Sequence, residues 1–187
     1  MKRLQPFLVI LLIALSFNAV GQNRANFWHF GNGAGMEFTA GDPVGITSAF
    51  PFDVEEGTSS IAKADGSNFL FYSDGRKIYD ADNELMPNGS GLSGNGSSQQ
   101  SCVIIPHPTS TDEYYVFTQG GEAGGLAYSI IDMNLPGNGT TSNPKGDIGL
   151  TKNIRLRCMW NHDRQCLLTV SLIRHSVQHQ GSTVCCV

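Results

Sequence analysis

The chain has 187 residues, a net charge of −4, 40% hydrophobic residues, 22 glycines and only 15% charged residues. The low charge and the near-globular apolar fraction exclude a highly charged disordered chain, and the glycines follow no three-residue period, which excludes collagen. Helical bundles are rich in Ala, Glu, Lys and Leu, whereas this chain is rich in Gly, Ser, Thr, Asn and aromatic residues. The composition therefore predicts turns and short strands.

Residues 1–21 have the pattern of a secretory signal peptide. Lys2 and Arg3 form a basic start, residues 7–15 are an unbroken apolar run, and small residues precede Gln22. The run is far shorter than the roughly 20 residues that cross a bilayer, so we expect cleavage, export to the cell surface or beyond, and no membrane span afterwards. Loss of Lys2 and Arg3 leaves a more acidic chain, which makes nucleic acid an unfavourable partner.

Short apolar or aromatic runs recur between clusters of turn-forming residues along the rest of the chain. This pattern predicts an all-β fold with hairpins, because short strands pack their apolar side chains while Gly, Asn, Asp and Ser form the turns. The predicted strands cover residues 27–30, 36–39, 59–63, 68–73, 77–80, 102–106, 114–118 and 126–132.

Two stretches, about residues 58–86 and about residues 100–135, resemble each other. Residues 59–62 align with 101–104, and residues 68–75 align with 113–120. A period of about 40 to 50 residues with three or four strands per repeat is typical of β-propeller blades. Residues 22–155 are therefore predicted to form short antiparallel sheets arranged as the first blades of an incomplete β-propeller, with a β-sandwich as the alternative.

Three acidic residues with alternating spacing, Asp80, Asp82 and Glu84, resemble the start of a calcium-binding loop. The segment lacks the Gly and the Glu that an EF-hand loop carries further along, and Asp and Asn are common in turns. Calcium is thus a candidate cofactor at these residues, and a polar turn between two strands is the alternative.

A second group of acids lies around the first repeat. Glu55 and Glu56 come directly before Gly57 and a predicted innermost strand, and Asp74 follows a predicted strand. In a propeller these carboxylates would lie at the mouth of the central channel, where ligands commonly bind. They are the candidate ligand-binding residues, with a solvated acidic loop as the alternative. The sequence has no nucleophile elbow and no Walker-type loop, so no catalytic residue is assigned.

Several of these segments together resemble one group of exported proteins. The matching segments are residues 26–38, 56–57, 69–75, 83–89 and 100–106. They resemble the N-terminal propeller-like repeats of large surface proteins of Bacteroidota, many of which end in a gliding-motility-associated or type IX secretion sorting domain. The resemblance covers about residues 22–155 and implies a location and an architecture rather than an activity.

Composition changes near Leu156. Residues 156–187 hold four of the five cysteines and three of the five histidines, but one glycine and no Lys, Tyr or Phe. The resemblance ends at the same place. We interpret residues 156–187 as a Cys- and His-containing tail produced by a frameshift or by truncation of the gene.

The sequence predicts a non-catalytic recognition or adhesion module, the N-terminal part of a larger cell-surface protein with extracellular glycan or protein partners. The alternative is a propeller glycosidase or lyase that acts on extracellular polysaccharide and uses acids at the channel mouth. Strand aromatics are expected to pack between blades, and any that remain exposed would be able to stack on sugar rings. These aromatics are Trp28, Phe71, Tyr72, Tyr79, Tyr114, Tyr115, Phe117 and Tyr128.

Overall fold

A computed structural model describes residues 23–39, 41–47, 54, 56–160, 166–170 and 183–185. The predicted signal peptide and Glu55 lie outside these residues. The described residues form strands and one helical turn, α1 (Gly121–Gly124), so the predicted all-β class is confirmed. No helix in this part of the chain is long and apolar enough to cross a bilayer.

The first sheet, sheet A, is an antiparallel meander of β1 (Phe27–Gly31), β2 (Ala34–Glu37) and β3 (Val44–Thr47). Asn32 and Gly33 close its first hairpin with φ angles of 51° and 76°. Two central residues with positive φ form the type I′ turn, whose twist matches that of the flanking strands. The Asn-Gly pair therefore fixes where β1 ends and β2 begins.

Sheet B is formed by β4 (Ser59–Ala62), β5 (Phe69–Ser73) and β6 (Ile78–Asp80), all antiparallel. An isolated bridge between Tyr79 and Leu85 extends it by one short segment. All of β6 is buried, because both faces of this sheet are covered by neighbouring parts of the chain.

Sheet C contains the remaining strands, and none of the sheets closes on itself within the described residues. Its members are β7 (Cys102–Pro106), β8 (Glu113–Gln119), β9 (Leu126–Asp132), β10 (Asp147–Ile148), β11 (Ile154–Trp160), β12 (Cys166–Val170) and β13 (Thr183–Cys185). The strand order is β13-β12-β11-β9-β8-β7, and β10 pairs with the end of β9 that β11 leaves open.

Strand β4 lies between sheet A and sheet C and is attached to both through side-chain hydroxyls. On one side Ser60 Oγ donates to the carbonyl of Phe27 at 2.8 Å. On the other side Ser59 Oγ accepts from the backbone N–H of Ile104 at 3.2 Å. Alternate residues of a strand point to opposite faces, so Ser60 bonds to sheet A and Ser59 bonds to sheet C. The three sheets are therefore stacked in the order A, B, C.

The main core lies between sheet B and sheet C. Sheet B contributes Phe71 and Ile78, and the segment after β6 contributes Met86, each fully buried. Sheet C contributes Val116 and Ile131, also fully buried. Burying a large apolar side chain contributes about 1.5–3 kcal/mol, so this contact is a major source of stability. Each sheet alone would leave this apolar face in water.

Candidate functional site

Two of the predicted ligand-binding acids, Glu56 and Asp74, have different environments. Glu56 is exposed and precedes Gly57, and Asp74 is only 3% exposed and precedes Gly75. Both glycines pack against Ser101, because a Cβ atom at either position would lie within 3.0 Å of its backbone atoms. Glu56 and Asp74 therefore each precede a glycine that packs against Ser101. Glu55 lies outside the described residues.

The carboxylate of Asp74 is occupied by its own turn. Its Oδ1 accepts from the backbone N–H groups of Arg76 at 2.8 Å and of Lys77 at 2.7 Å. Its Oδ2 pairs with the Arg76 guanidinium at 3.3 Å. Asp74 therefore stabilises the turn between β5 and β6, and ligand binding by Glu55, Glu56 and Asp74 stays a prediction.

The candidate calcium residues form a polar turn that is paired with a lysine from a later loop, Lys145. Asp80 is fully buried, and its Oδ1 accepts from the backbone N–H groups of Asp82 at 2.9 Å and Glu84 at 3.0 Å. Its Oδ2 accepts from Asn138 Nδ2 at 3.0 Å. The Lys145 ammonium contacts Asp82 at 2.7 Å and Glu84 at 3.1 Å, and these two carboxylates raise the lysine pKa.

A calcium ion at this turn would have to displace the Lys145 ammonium from both exposed carboxylates. Among the described residues, no group of three or more His, Cys, Asp or Glu side chains is arranged to hold a metal ion. Calcium binding by Asp80, Asp82 and Glu84 stays a prediction.

Most of the strand aromatics pack inside the molecule, but Trp28 does not. Its side chain is 48% exposed, as is that of Phe30, two residues further along β1. The Trp28 ring contacts the Phe30 ring at a centroid distance of 6.3 Å and the half-buried Phe38 ring at 5.1 Å. We call Trp28, Phe30 and Phe38 the aromatic patch.

His29 holds β1 so that the patch points away from sheet B. It lies between the two exposed rings of β1 and is itself buried, stacked on Tyr72 at 5.5 Å and tilted on Phe69 at 4.3 Å. Burial lowers the pKa of His29 to about 4. The imidazole is therefore neutral at physiological pH and acts as an aromatic anchor between sheet A and sheet B.

A cleft of about 580 Å³ lies at one end of sheet C. The residues from the strands include Val103, Phe117, Gln119 and Leu126, and the loop 97–100 supplies two serines and two glutamines. None of the described residues that line it carries a charge. Sequence reasoning missed this cleft, because the Ser- and Gln-rich run 97–100 has the composition of an ordinary loop.

The cysteine at the edge of the cleft has no features of a nucleophile. Cys102 is buried, and its Sγ donates to the carbonyl of Ser73 at 3.2 Å. Burial raises the pKa of this thiol to about 11, so the reactive thiolate is scarce at neutral pH. Its position between the two sheets is that of a packing residue.

The chain was compared with protein families, curated proteins and solved structures. No protein-family model, no curated protein and no solved structure matches the chain.

Proposed function

We propose that the chain is an exported, non-catalytic recognition or adhesion module that binds neutral glycans through the aromatic patch. The observation that carries this proposal is the half exposure of Trp28 and Phe30 side by side on one sheet. In a soluble protein, contiguous exposed aromatic surface marks an interaction site more often than chance. Export and membership in a larger propeller-like surface protein are part of the same proposal and rest on the residues of the signal peptide and the repeats.

The geometry of the patch supports sugar rings as the ligand. The face of an aromatic ring is negative and attracts the slightly positive C–H groups on one side of a pyranose. The Trp28 ring is held on two sides by Phe30 and Phe38, at interplanar angles of 79° and 54°. Such support fixes the indole before the ligand arrives, which lowers the entropy lost on binding.

The sheet stack supports the propeller-like part of the proposal. Sheet B has one neighbour on each face, as a blade does in a propeller, and its edge strand β4 contacts both. The antiparallel sheets of a sandwich would pack as a single pair of faces. We therefore favour stacked blades over a β-sandwich.

A glycan array followed by a product assay tests this function. We expect the mature protein to bind one or more neutral oligosaccharides and to leave them uncleaved. Trp28→Ala should weaken binding at least about tenfold, which corresponds to about 1.4 kcal/mol. Released sugar fragments would instead support the glycosidase or lyase alternative.

Val44→Ala is the matched control for this experiment. Val44 is 58% exposed on the same sheet, but its register opposite Glu37 places it on the other face from Trp28. Its truncation should leave glycan affinity unchanged. If Val44→Ala and Trp28→Ala weaken binding equally, or if no glycan binds, the patch is not the site.

A further inference from the structure

The floor of the cleft on sheet C is an apolar strip that contains one aromatic ring. Val103 on β7 lies directly opposite Phe117 on β8, and two residues further along β8, Gln119 lies opposite Leu126 on β9. These four residues share one face of the sheet, because alternate residues of a strand point the same way. Val116 is buried in the core against sheet B, so the strip lies on the face that points away from sheet B.

Neighbouring rings hold the Phe117 ring in place. Its centroid lies 5.8 Å from that of the Tyr115 ring and 6.1 Å from that of the Tyr128 ring, at interplanar angles of 32° and 43°. The Phe117 side chain is half-buried and lines the cleft. Because the ring is already fixed, a ligand that packs on it loses less entropy on binding.

The polar wall of the cleft, the loop 97–100, is anchored to the same strand. The carbonyl of Gln119 accepts from the backbone N–H of Asn95 at 3.0 Å, and the N–H of Gln119 donates to the carbonyl of Ser101 at 3.0 Å. Both ends of the loop are thus bonded to one residue of β8. Inside the loop, Asn95 Oδ1 accepts from the N–H of Ser97 at 3.0 Å. The cleft is therefore formed before a ligand binds, as is usual for small-molecule sites.

Three exposed side-chain amides, those of Gln99, Gln100 and Gln119, line the cleft. Within the described part of the chain, none of these amides has a hydrogen-bond partner. A charged ligand would meet no opposite charge among the described lining residues, so its lost hydration would not be replaced. A wholly apolar ligand would leave the amides unpaired. The lining therefore favours a neutral ligand with an apolar face and a polar edge.

We propose that the cleft is a second glycan-binding site, which takes a neutral pyranose with its C–H face on Phe117 and its hydroxyl groups on the glutamine amides. The inference rests on the proposed glycan-binding function and adds a site at the opposite end of the sheet stack from the aromatic patch. Hydroxyl groups both donate and accept, as amides do, and the face of an aromatic ring attracts C–H groups. The volume of about 580 Å³ lies within the range of about 300–1,000 Å³ that small-molecule sites occupy.

The test is a calorimetric titration of the protein with cellohexaose, xylohexaose and mannohexaose, which are neutral hexasaccharides. The cleft should be the weaker site, because its one ring is half-buried whereas the patch has two half-exposed rings. Trp28→Ala removes the main ring of the patch, so the binding that remains belongs to the cleft. Adding Gln119→Leu to Trp28→Ala should weaken this remaining binding at least about tenfold, because an apolar side chain replaces an amide at an exposed position.

Asn134→Leu, added to Trp28→Ala, is the matched control. Asn134 is also an exposed amide, but it follows the other end of β9 and does not line the cleft. This variant should bind the hexasaccharides within about twofold of Trp28→Ala. All variants should keep the circular dichroism of the parent.

The possible results separate the two sites. If Trp28→Ala abolishes all binding, or if Gln119→Leu and Asn134→Leu weaken the remaining binding equally, the cleft is not a glycan site and the aromatic patch is. If Gln119→Leu alone weakens binding about tenfold and Trp28→Ala alone does not, the cleft is the glycan site and the patch is not. Absence of binding of all three hexasaccharides to the parent would overturn both proposals.

Discussion

His29 is the residue whose ionisation most directly affects stability. Burial lowers its pKa from 6.5 to about 4, so below pH 6.5 the unfolded chain binds a proton that the folded chain does not. We expect the free energy of unfolding to fall as the pH drops from about 6.5 to about 4 and to lose this dependence below that range. Urea unfolding at a series of pH values measures the effect.

The variant His29→Phe keeps the stacking on Tyr72 and Phe69 but has no proton to bind. Its unfolding free energy should fall less than that of the parent over the same pH range. Parallel pH profiles for the two proteins would show that other groups cause the dependence.

Asp80 and Asp82 lie in the same turn, yet we predict that replacing them by alanine lowers the free energy of unfolding by very different amounts. Asp80→Ala removes a buried carboxylate that accepts three hydrogen bonds, and it should lower the free energy of unfolding by about 3 kcal/mol. Asp82→Ala removes an exposed partner of Lys145 and should cost less than about 1 kcal/mol. Urea unfolding of the two variants under identical conditions compares them, and equal losses would contradict the hydrogen-bond assignment.

At the scale of single elements, the turn glycines provide a second matched comparison. Gly75 and Gly91 both have positive φ, 84° and 71°, but a Cβ at Gly75 would lie 2.7 Å from the Ser101 carbonyl oxygen, whereas Gly91 faces open space. Gly91→Ala should cost about 1–2 kcal/mol, the strain of the left-handed conformation alone. Gly75→Ala should lower the free energy of unfolding by clearly more than this, since the backbone at Ser101 would also have to move. Similar midpoints of thermal unfolding for the two variants would contradict the close approach of the β5–β6 turn to Ser101.

Strand positions could be predicted from the sequence where apolar residues and turn signals alternate, as at β4 to β9. Strand β3 is not among the predicted strands, because four residues that include Gly45 form too short a run to stand out from the turn residues beside them. The start of β11 has a period of two, with Ile154 and Leu156 separated by Arg155, and that signal was available in the sequence. The change in composition at Leu156 favours a tail over a strand and so hides this period.

The candidate site was less predictable than the strands, for a physical reason. Eight aromatics share the same strand context in the sequence, and exposure of Trp28 depends on which face of sheet A has a neighbour. The cleft likewise depends on the register between β7 and β8, which differs by one residue from the sequence alignment of the repeats. The candidate carboxylates could be identified in the sequence from their residue type. Their contacts with Arg76, Asn138 and Lys145 form only in the folded chain.

At the scale of the whole molecule, the contact between sheet B and sheet C should make them unfold together. Phe71 is fully buried at this contact, with its ring edge-on to Tyr114 at 5.4 Å. Phe71→Ala should lower the free energy of unfolding by about 3–5 kcal/mol while the transition stays single. Phe30→Ala, at a ring that is 48% exposed, is the size-matched control and should cost less than about 1 kcal/mol. Two separate transitions in circular dichroism would show instead that the sheets fold independently.

The hydroxyl contacts of β4 also bear on how such a chain can change over evolutionary time. In sheet B the ladder β4-β5-β6 lies within one repeat, and among the described residues none of its strands shares a ladder with sheet A or sheet C. The hydroxyls of Ser59 and Ser60, and a backbone bond from Ala62 to Arg24, are among the contacts that join β4 to its neighbours. A gene segment that encodes one sheet can therefore be duplicated or lost without altering the strand pairing inside the next. The hydrogen bonds and the apolar core between neighbouring sheets then have to be matched again.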